Sequence, residues 1–190
     1  KKITFLGVTF KANTDDMRDS SSLTMIPILW KKGAIIKYAS NAFLATKITF
    51  INEISNLCEK TGINVEDISI GMGLDKRIGG RFLRAGPAYG GSCFPKDTKA
   101  IISTANKFKI NLSVIKSVIK SNENRSKLLL SRIYEILNKK VKNKKITFLG
   151  VTFKANTDDM RDSSSLTMIP ILWKKGAIIK YASNAFLATK

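Results

Sequence analysis

Cys93 has the sequence environment of a reactive thiol. It follows a glycine-rich loop, with five glycines between positions 79 and 91, and it precedes Pro95, which suits the first turn of a helix. Amide groups at a helix N-terminus and the cation of Lys96 would both lower the pKa of such a thiol. The same position also suits an ordinary buried cysteine at a helix cap. The residues alone therefore leave a nucleophile and a structural cysteine equally open.

Three further side chains have types and spacing suited to proton transfer or charge stabilisation. Asp97 lies one helical turn after Cys93, where a carboxylate could accept a proton or orient water, or simply favour the helix N-terminus. Lys37 and Asn41 are four residues apart on one helix face, where they could bind a developing oxyanion or form a solvated surface. The chain has no histidine, so acid–base chemistry would rely on Asp, Lys, Cys or water. We expect no metal site.

The elements that must position these residues are mostly helical. Residues 35–60 carry two apolar stripes, which predict a helix buried on two sides, in a core or against a partner subunit. The first stripe consists of Leu44, Ile48, Ile51 and Cys58, and the second of Phe43, Phe50, Ile54 and Leu57. We interpret Cys58 as a core residue. Further helices are predicted over 65–71, from Pro95 to 108 and over 113–137.

Residues 1–47 recur without a single change as residues 144–190. A recent duplication, an engineered repeat or a sequence read around a circle would each produce such identity. Each copy predicts a strand–loop–helix unit whose helix ends at Gly33 or Gly176 and contains Pro27 or Pro170, which would kink it. The predicted fold is a mainly α central domain flanked by partial α/β (βα) units. The predicted boundaries are 1–34 for the first βα unit, 35–140 for the central domain, 144–177 for the second unit and 178–190 for a truncated copy of the central helix.

The chain is strongly basic, with 33 Lys and Arg against 14 Asp and Glu, a net charge of +19. A nucleic-acid partner is therefore one reading, but it is not expected, because no arginine-rich run or stacking-aromatic motif accompanies the lysines. No apolar run approaches the roughly 18 residues of a membrane helix, so no membrane partner is expected. The first residues lack the features of a signal peptide, and we expect a cytoplasmic protein with two free thiols.

Four segments together resemble the UDP-glucose/GDP-mannose dehydrogenase family, and within it the UDP-glucose branch. They are 37–47 (KYASNAFLATK), 73–79 (GLDKRIG), 86–97 (GPAYGGSCFPKD) and 148–162 (FLGVTFKANTDDMRD). The resemblance covers essentially the whole 143-residue unit. It implies the oxidation of the C6 alcohol of UDP-glucose to the acid, with NAD as the cofactor for two hydride transfers.

The resemblance also implies roles for single residues. Cys93 would form a thiohemiacetal and then a thioester, Lys37 and Asn41 would hold the reacting oxygens or water, and Asp97 would assist proton transfer. The substrate-binding residues would be Lys37, Asn41, Arg77, Phe82, Leu83, Arg84, Ala85, Gly86, Gly90 and Lys154. Lys96 and Arg161 would lie near NAD. Arg77 would reach the substrate of a partner chain, in a homodimer formed through the helix over 35–60.

The sequence departs from the family pattern, because no Gly-x-Gly-x-x-Gly follows an opening strand. We therefore expect the NAD-binding domain to be missing and the 190-residue chain to be inactive alone. The alternative readings are a helical dimerisation module without catalysis and, less favoured, a basic nucleic-acid binder. The longer helix context predicts that Lys37 and Asn41 face Cys93, while their second copies, Lys180 and Asn184, lie away from it and exposed.

Overall fold

The computed structural model describes residues 21–152 and 157–182, with side chains from residue 30 onward. This part of the chain contains five helices and a two-stranded parallel sheet, which confirms the predicted mainly α domain with a partial α/β unit. The strand predicted near residues 3–8 lies outside the described residues. The helices are α1 (Ser21–Thr61), α2 (Val65–Leu74), α3 (Phe94–Lys107), α4 (Ser113–Ile136) and α5 (Ser164–Lys174), and the strands are β1 (Lys145–Leu149) and β2 (Ile178–Ala182).

Helix α1 is the centre of the helical domain and packs against α2, α3 and α4. Its buried face carries small side chains at helical spacing, including Ala42, Ala45 and Ser55, which allow the neighbouring helices to approach closely. Ile51 is fully buried and Cys58 is only 4% exposed. The predictions that the first apolar stripe faces a core and that Cys58 is a core residue are confirmed.

Three of the four residues of the second apolar stripe of α1 lie at the surface of the single chain, while Ile54 is half-buried. Phe43 is 65% exposed, Phe50 46% and Leu57 59%. These three residues are seven positions apart, so they share one side of the helix. Of the two predicted apolar faces, one therefore fills the core and the other is available to a partner.

The sheet joins β1 and β2 in parallel, with Ile146 opposite Ile179 and α5 as the connecting helix. Two successive strands can pair in parallel only if the connection returns the chain to the end of the sheet where the first strand began. A tight turn cannot do this, so a crossover is needed. α5 continues through Pro170. Met168 and Leu172 of α5 pack with Leu130 of α4 in one apolar cluster. The βα unit is therefore fastened to the last helix of the central domain.

The predicted end of the first helix at Gly33 is wrong, and the predicted domain boundary between residues 34 and 35 falls inside this helix. α1 runs through Gly33 without interruption. Extending an existing helix costs far less than starting one, and the rest of α1 is held by packing. In the second copy, Gly176 has φ +82°, a conformation that glycine adopts readily, and α5 ends there as predicted.

The prediction that 178–190 begins as a copy of the central helix is also wrong, because residues 178–182 form β2. The same five residues, IIKYA, are helical at 35–39. The strand forms because β1 offers it hydrogen-bonding groups: the Ile178 amide donates to the Lys144 carbonyl at 2.8 Å. Lys180 is exposed in β2, and Asn184 lies outside the described residues.

Among the helices that the structure describes, none is long and apolar enough to cross a membrane.

Candidate active site around Cys93

Cys93 is exposed at the N-terminal end of α3, with Pro95 in the first turn. Its backbone carbonyl accepts a hydrogen bond from the Asp97 amide at 2.8 Å, which begins the helix. Its sulfur lies 3.8 Å from the Ser92 hydroxyl oxygen. The reading of Cys93 as a buried cysteine is therefore wrong, since the residue is exposed.

Asn41 and Asp97 join α1 to α3 one turn away from Cys93. The Asn41 Nδ2 donates to Asp97 Oδ2 at 2.6 Å, and Asp97 is fully buried. Within the described residues the second carboxyl oxygen, Oδ1, has no hydrogen-bond partner. Lys37 lies exposed one turn before Asn41. Asn41 thus holds one oxygen of the Asp97 carboxyl group, and the other oxygen has no hydrogen-bond partner in the described residues.

Replacing Asn41 by leucine is expected to lower the free energy of unfolding by about 2–3 kcal/mol, because the buried Asp97 carboxyl group loses its side-chain donor. Urea unfolding monitored by circular dichroism measures this change. Adding Asp97→Leu to Asn41→Leu should recover part of the loss, since both polar partners are then gone. Lys37→Leu, on the same helix face but exposed, is the matched control. An equal loss in Asn41→Leu and Lys37→Leu would contradict the prediction.

The glycine-rich loop presents Phe82 beside the start of α3. Phe82 has φ +65°, which is strained for a residue with a side chain, and its ring meets the edge of Phe94 at 5.9 Å between centroids. Leu83 is buried, and its carbonyl accepts from Ser69 at 2.6 Å. Strained backbone of this kind occurs preferentially at functional sites. The loop predicted to line a substrate pocket therefore adopts a shape that the surrounding contacts must enforce.

Besides Ser69, those contacts come from four more side chains that the sequence analysis did not identify. The Lys47 amine donates to the Ile78 and Gly79 carbonyls, each at 2.9 Å. The other three side chains, Asn52, Asn122 and Arg125, bind the backbone of the loop farther along. One signal was available for Asn52, which is a polar residue directly beside Ile51 on the buried face of α1.

The segment before α5 reaches the loop and places Arg161 near Cys93. The Gly91 amide donates to the Arg161 carbonyl at 2.8 Å. Hydrogen bonds from the Arg161 side chain and backbone lower the pKa of Asp159 to about 2. The pKa of Arg161 is raised, first by its hydrogen bond to Asp159 and in smaller part by the charge of Cys93. The Arg161 guanidinium is therefore near enough to Cys93 to interact with it electrostatically.

The remaining predicted site residues differ in how exposed they are. Lys96 is exposed in the first turn of α3. Arg84 is exposed, whereas Ala85, Gly86 and Gly90 are half-buried in the loop. Arg77 is 90% exposed and pairs with Asp75 at 2.6 Å. Lys154 lies outside the described residues. The structure thus gathers Asn41, Asp97, the loop and Arg161 around Cys93, and leaves Arg77 at the surface.

Comparison with known proteins gives matches to two family models. Residues 31–124 match the central domain of the UDP-glucose/GDP-mannose dehydrogenase family, and residues 147–186 match its UDP binding domain. The UDP-glucose 6-dehydrogenase of Rickettsia typhi is 51% identical over 146 residues, which are 77% of this chain and 34% of that protein. The UDP-glucose 6-dehydrogenase YwqF of Bacillus subtilis is 47% identical over 174 residues, 87% of this chain and 39% of that protein.

Solved structures show the same likeness. A UDP-glucose dehydrogenase from Pyrobaculum islandicum superposes with a TM-score of 0.73 at 36% identity, covering 80% of this chain and 35% of that one. The chain thus spans about a third of the length of the curated relatives it matches.

Proposed function

The chain belongs to the UDP-glucose/GDP-mannose dehydrogenase family, and from this membership we propose that it supplies the catalytic cysteine and part of the sugar-nucleotide site of an NAD-dependent UDP-glucose 6-dehydrogenase. The observation that carries the proposal is the exposed Cys93 at the start of α3, one turn from the Asn41–Asp97 pair. A dimerisation module without catalysis would not require this arrangement.

Cys93 would act on the aldehyde made by the first oxidation at C6. Its sulfur adds to the aldehyde carbon and the carbonyl oxygen gains the proton, giving a thiohemiacetal. Loss of a hydride from C6 and of the hydroxyl proton converts this adduct into a thioester. Water then attacks the thioester carbon, releases the carboxylic acid and restores the thiol. Covalent attachment divides one difficult oxidation into easier steps, and an exposed thiol can approach the substrate.

Asp97, Asn41 and Lys37 would manage protons and charge in these steps. Asn41 holds Oδ2 of Asp97, so the carboxyl group keeps one orientation. Oδ1 is buried without a hydrogen-bond partner in the described residues, and it would accept the proton of an attacking water that enters the site beside it. Lys37 is a cation on the same side of α1 and would stabilise the oxyanion that forms at C6.

Lys96 and Arg161 would lie against NAD, which accepts the hydride when bound. Both are exposed cations near Cys93, which suits the diphosphate of a dinucleotide. The pairing of Arg161 with Asp159 fixes its guanidinium without burying it. The loop residues from Phe82 to Gly90, with Lys154, would bind the sugar nucleotide.

A chimera tests the proposed function. Residues 31–186 would replace the matching segment of the Rickettsia typhi enzyme, so that the rest of that enzyme completes the protein. Formation of UDP-glucuronate from UDP-glucose and NAD supports the proposal. A chimera that is folded and forms dimers but makes no product would favour the dimerisation module instead.

The exposed stripe of α1 supports a further part of the proposal, a homodimer through residues 35–60. Phe43, Phe50 and Leu57 present an apolar row that a second copy could cover with its own. Arg77 is exposed on the same chain and would reach the partner's substrate.

Replacing Phe50 by glutamate is expected to raise the dimer dissociation constant by about 10²-fold or more. The two-fold axis of a dimer doubles the loss of about 1.5–3 kcal/mol for each buried aromatic side chain. Sedimentation equilibrium of the chain measures the constant. Val114→Glu, at an equally apolar but unrelated exposed position of α4, is the control. Unchanged association of Phe50→Glu would rule out this face.

A further inference from the structure

We propose that Arg125, Asn52 and Asn122 form a clamp that sets the backbone of the glycine-rich loop, and that they are positioning residues for the sugar-nucleotide site. The proposal rests on the proposed function, since it concerns the loop that would bind the substrate. None of the three side chains need touch the substrate.

Arg125 is a buried cation whose hydrogen bonds go to neutral groups. It is 8% exposed and donates to the Gly86 carbonyl at 3.2 Å, the Asn52 carbonyl at 3.0 Å and the Ser55 hydroxyl at 3.1 Å, as well as to Asn56. In the described part of the chain no carboxylate forms an ion pair with it, and the charge of Glu59 acts on it without direct contact. Burying a guanidinium without an ion pair is costly, so plain stability is a poor reason for its presence. What the contacts do accomplish is to tie α4 to α1 and to fasten the loop to both helices at Gly86.

The clamp holds two loop residues at both of their backbone groups. Asn52 Oδ1 accepts from the Gly86 amide at 2.8 Å, while Arg125 donates to the Gly86 carbonyl. Asn122 Oδ1 accepts from the Tyr89 amide at 2.9 Å, and its Nδ2 donates to the Tyr89 carbonyl at 3.0 Å.

Because Gly86 and Tyr89 are held in this way, the loop backbone is fixed between them and on either side of them. The strained Phe82 lies before the clamp, and Cys93 lies after it. A loop set by three side chains from two helices is preorganised, so a ligand need not bear the cost of ordering it. We therefore expect the clamp to act on ligand affinity more than on the reactivity of Cys93.

Amide hydrogen exchange on the full chain tests the clamp directly. In Arg125→Met, exchange at Gly86 and Tyr89 is expected to accelerate about tenfold or more, while the amides of Met168 and Leu172, in the apolar cluster between α5 and α4, are unchanged. Arg132→Met is the matched control, because Arg132 lies on the same helix and binds Asn56 and Glu59 but no loop group. Equal exchange in the two variants would overturn the clamp.

Two substitutions of Asn52 provide a second test of the clamp if Arg125→Met does not fold. Asn52→Asp keeps an acceptor for the Gly86 amide, whereas Asn52→Leu removes it. Slow exchange at Gly86 in Asn52→Asp and fast exchange in Asn52→Leu supports the clamp, and fast exchange in both or in neither contradicts it.

The positioning role is tested by protection of Cys93 from iodoacetamide by UDP-glucose. In Arg125→Met the UDP-glucose concentration for half-protection should rise about tenfold, while the alkylation rate without ligand stays within about twofold. Unchanged half-protection beside accelerated exchange would overturn the positioning role but leave the clamp. If UDP-glucose does not protect the wild-type chain, the proposed substrate is wrong and the positioning role falls with it, while the exchange result still decides the clamp.

Discussion

Replacing Cys93 by alanine in the Rickettsia chimera is expected to reduce the NADH formed from two per UDP-glucose to at most one, and the steady-state rate by about 10³-fold or more. Without the sulfur, the aldehyde cannot form the thiohemiacetal from which the second hydride is lost. The first oxidation needs no covalent bond to the protein, so a single equivalent can still form. Absorbance at 340 nm under limiting UDP-glucose measures the yield.

Cys58→Ala is the matched control, because it removes the other thiol from the buried face of α1. This variant should keep the yield of two and lose only stability, by about 1 kcal/mol for the small cavity. A yield of two in Cys93→Ala would show that the second oxidation proceeds without this thiol. That result would remove Cys93 from the catalytic residues while leaving the family assignment intact.

Iodoacetamide at neutral pH is expected to alkylate Cys93 about 10²–10³ times faster than Cys58 in the folded chain. Cys93 is exposed at the start of α3, whereas Cys58 is 4% exposed and reacts only after α1 opens locally. An opening free energy of about 3–4 kcal/mol accounts for this ratio. Mass spectrometry of peptides from timed samples measures both rates.

Denaturation provides the internal control for this experiment. In concentrated urea both thiols are open to solvent, and their rates should agree within about threefold. Similar rates without urea would mean that Cys58 is accessible in solution, or that the site around Cys93 is closed. Either result would contradict the description of the two cysteines given above.

Local patterns in the sequence were enough to predict the central helices and the burial of Cys58, whereas they left Cys93 open between a nucleophile and a structural cysteine. The stripe that contains Ile51 and Cys58 has the period of a buried helix face, and Pro95 after a glycine-rich loop indicates a helix start. Both signals depend on neighbours within a few residues. The resemblance then brought Lys37, Asn41, Asp97 and the loop into one hypothesis, and the structure places Asn41 against Asp97.

The clamp could not be read from the sequence in the same way. Asn52 and Asn122 are 70 positions apart, and an asparagine on a helix is usually a solvated side chain. Their roles depend on the loop passing between α1 and α4, which is a property of how the helices pack. The hydrogen bonds of a loop backbone involve distant partners, and a local pattern carries no information about them.

The repeat separates what the sequence determines from what tertiary structure decides. Residues 21–39 and 164–182 are identical, so their composition, propensities and apolar spacing are the same. In both copies the stretch SSLTMIPILWK is helical, and local sequence accounts for that. Gly33 and IIKYA at 35–39 then continue as helix, because the rest of α1 follows and packs against α3 and α4. In the second copy Gly176 follows the end of the helix, and IIKYA at 178–182 forms a strand, because β1 lies beside it and offers backbone groups for pairing.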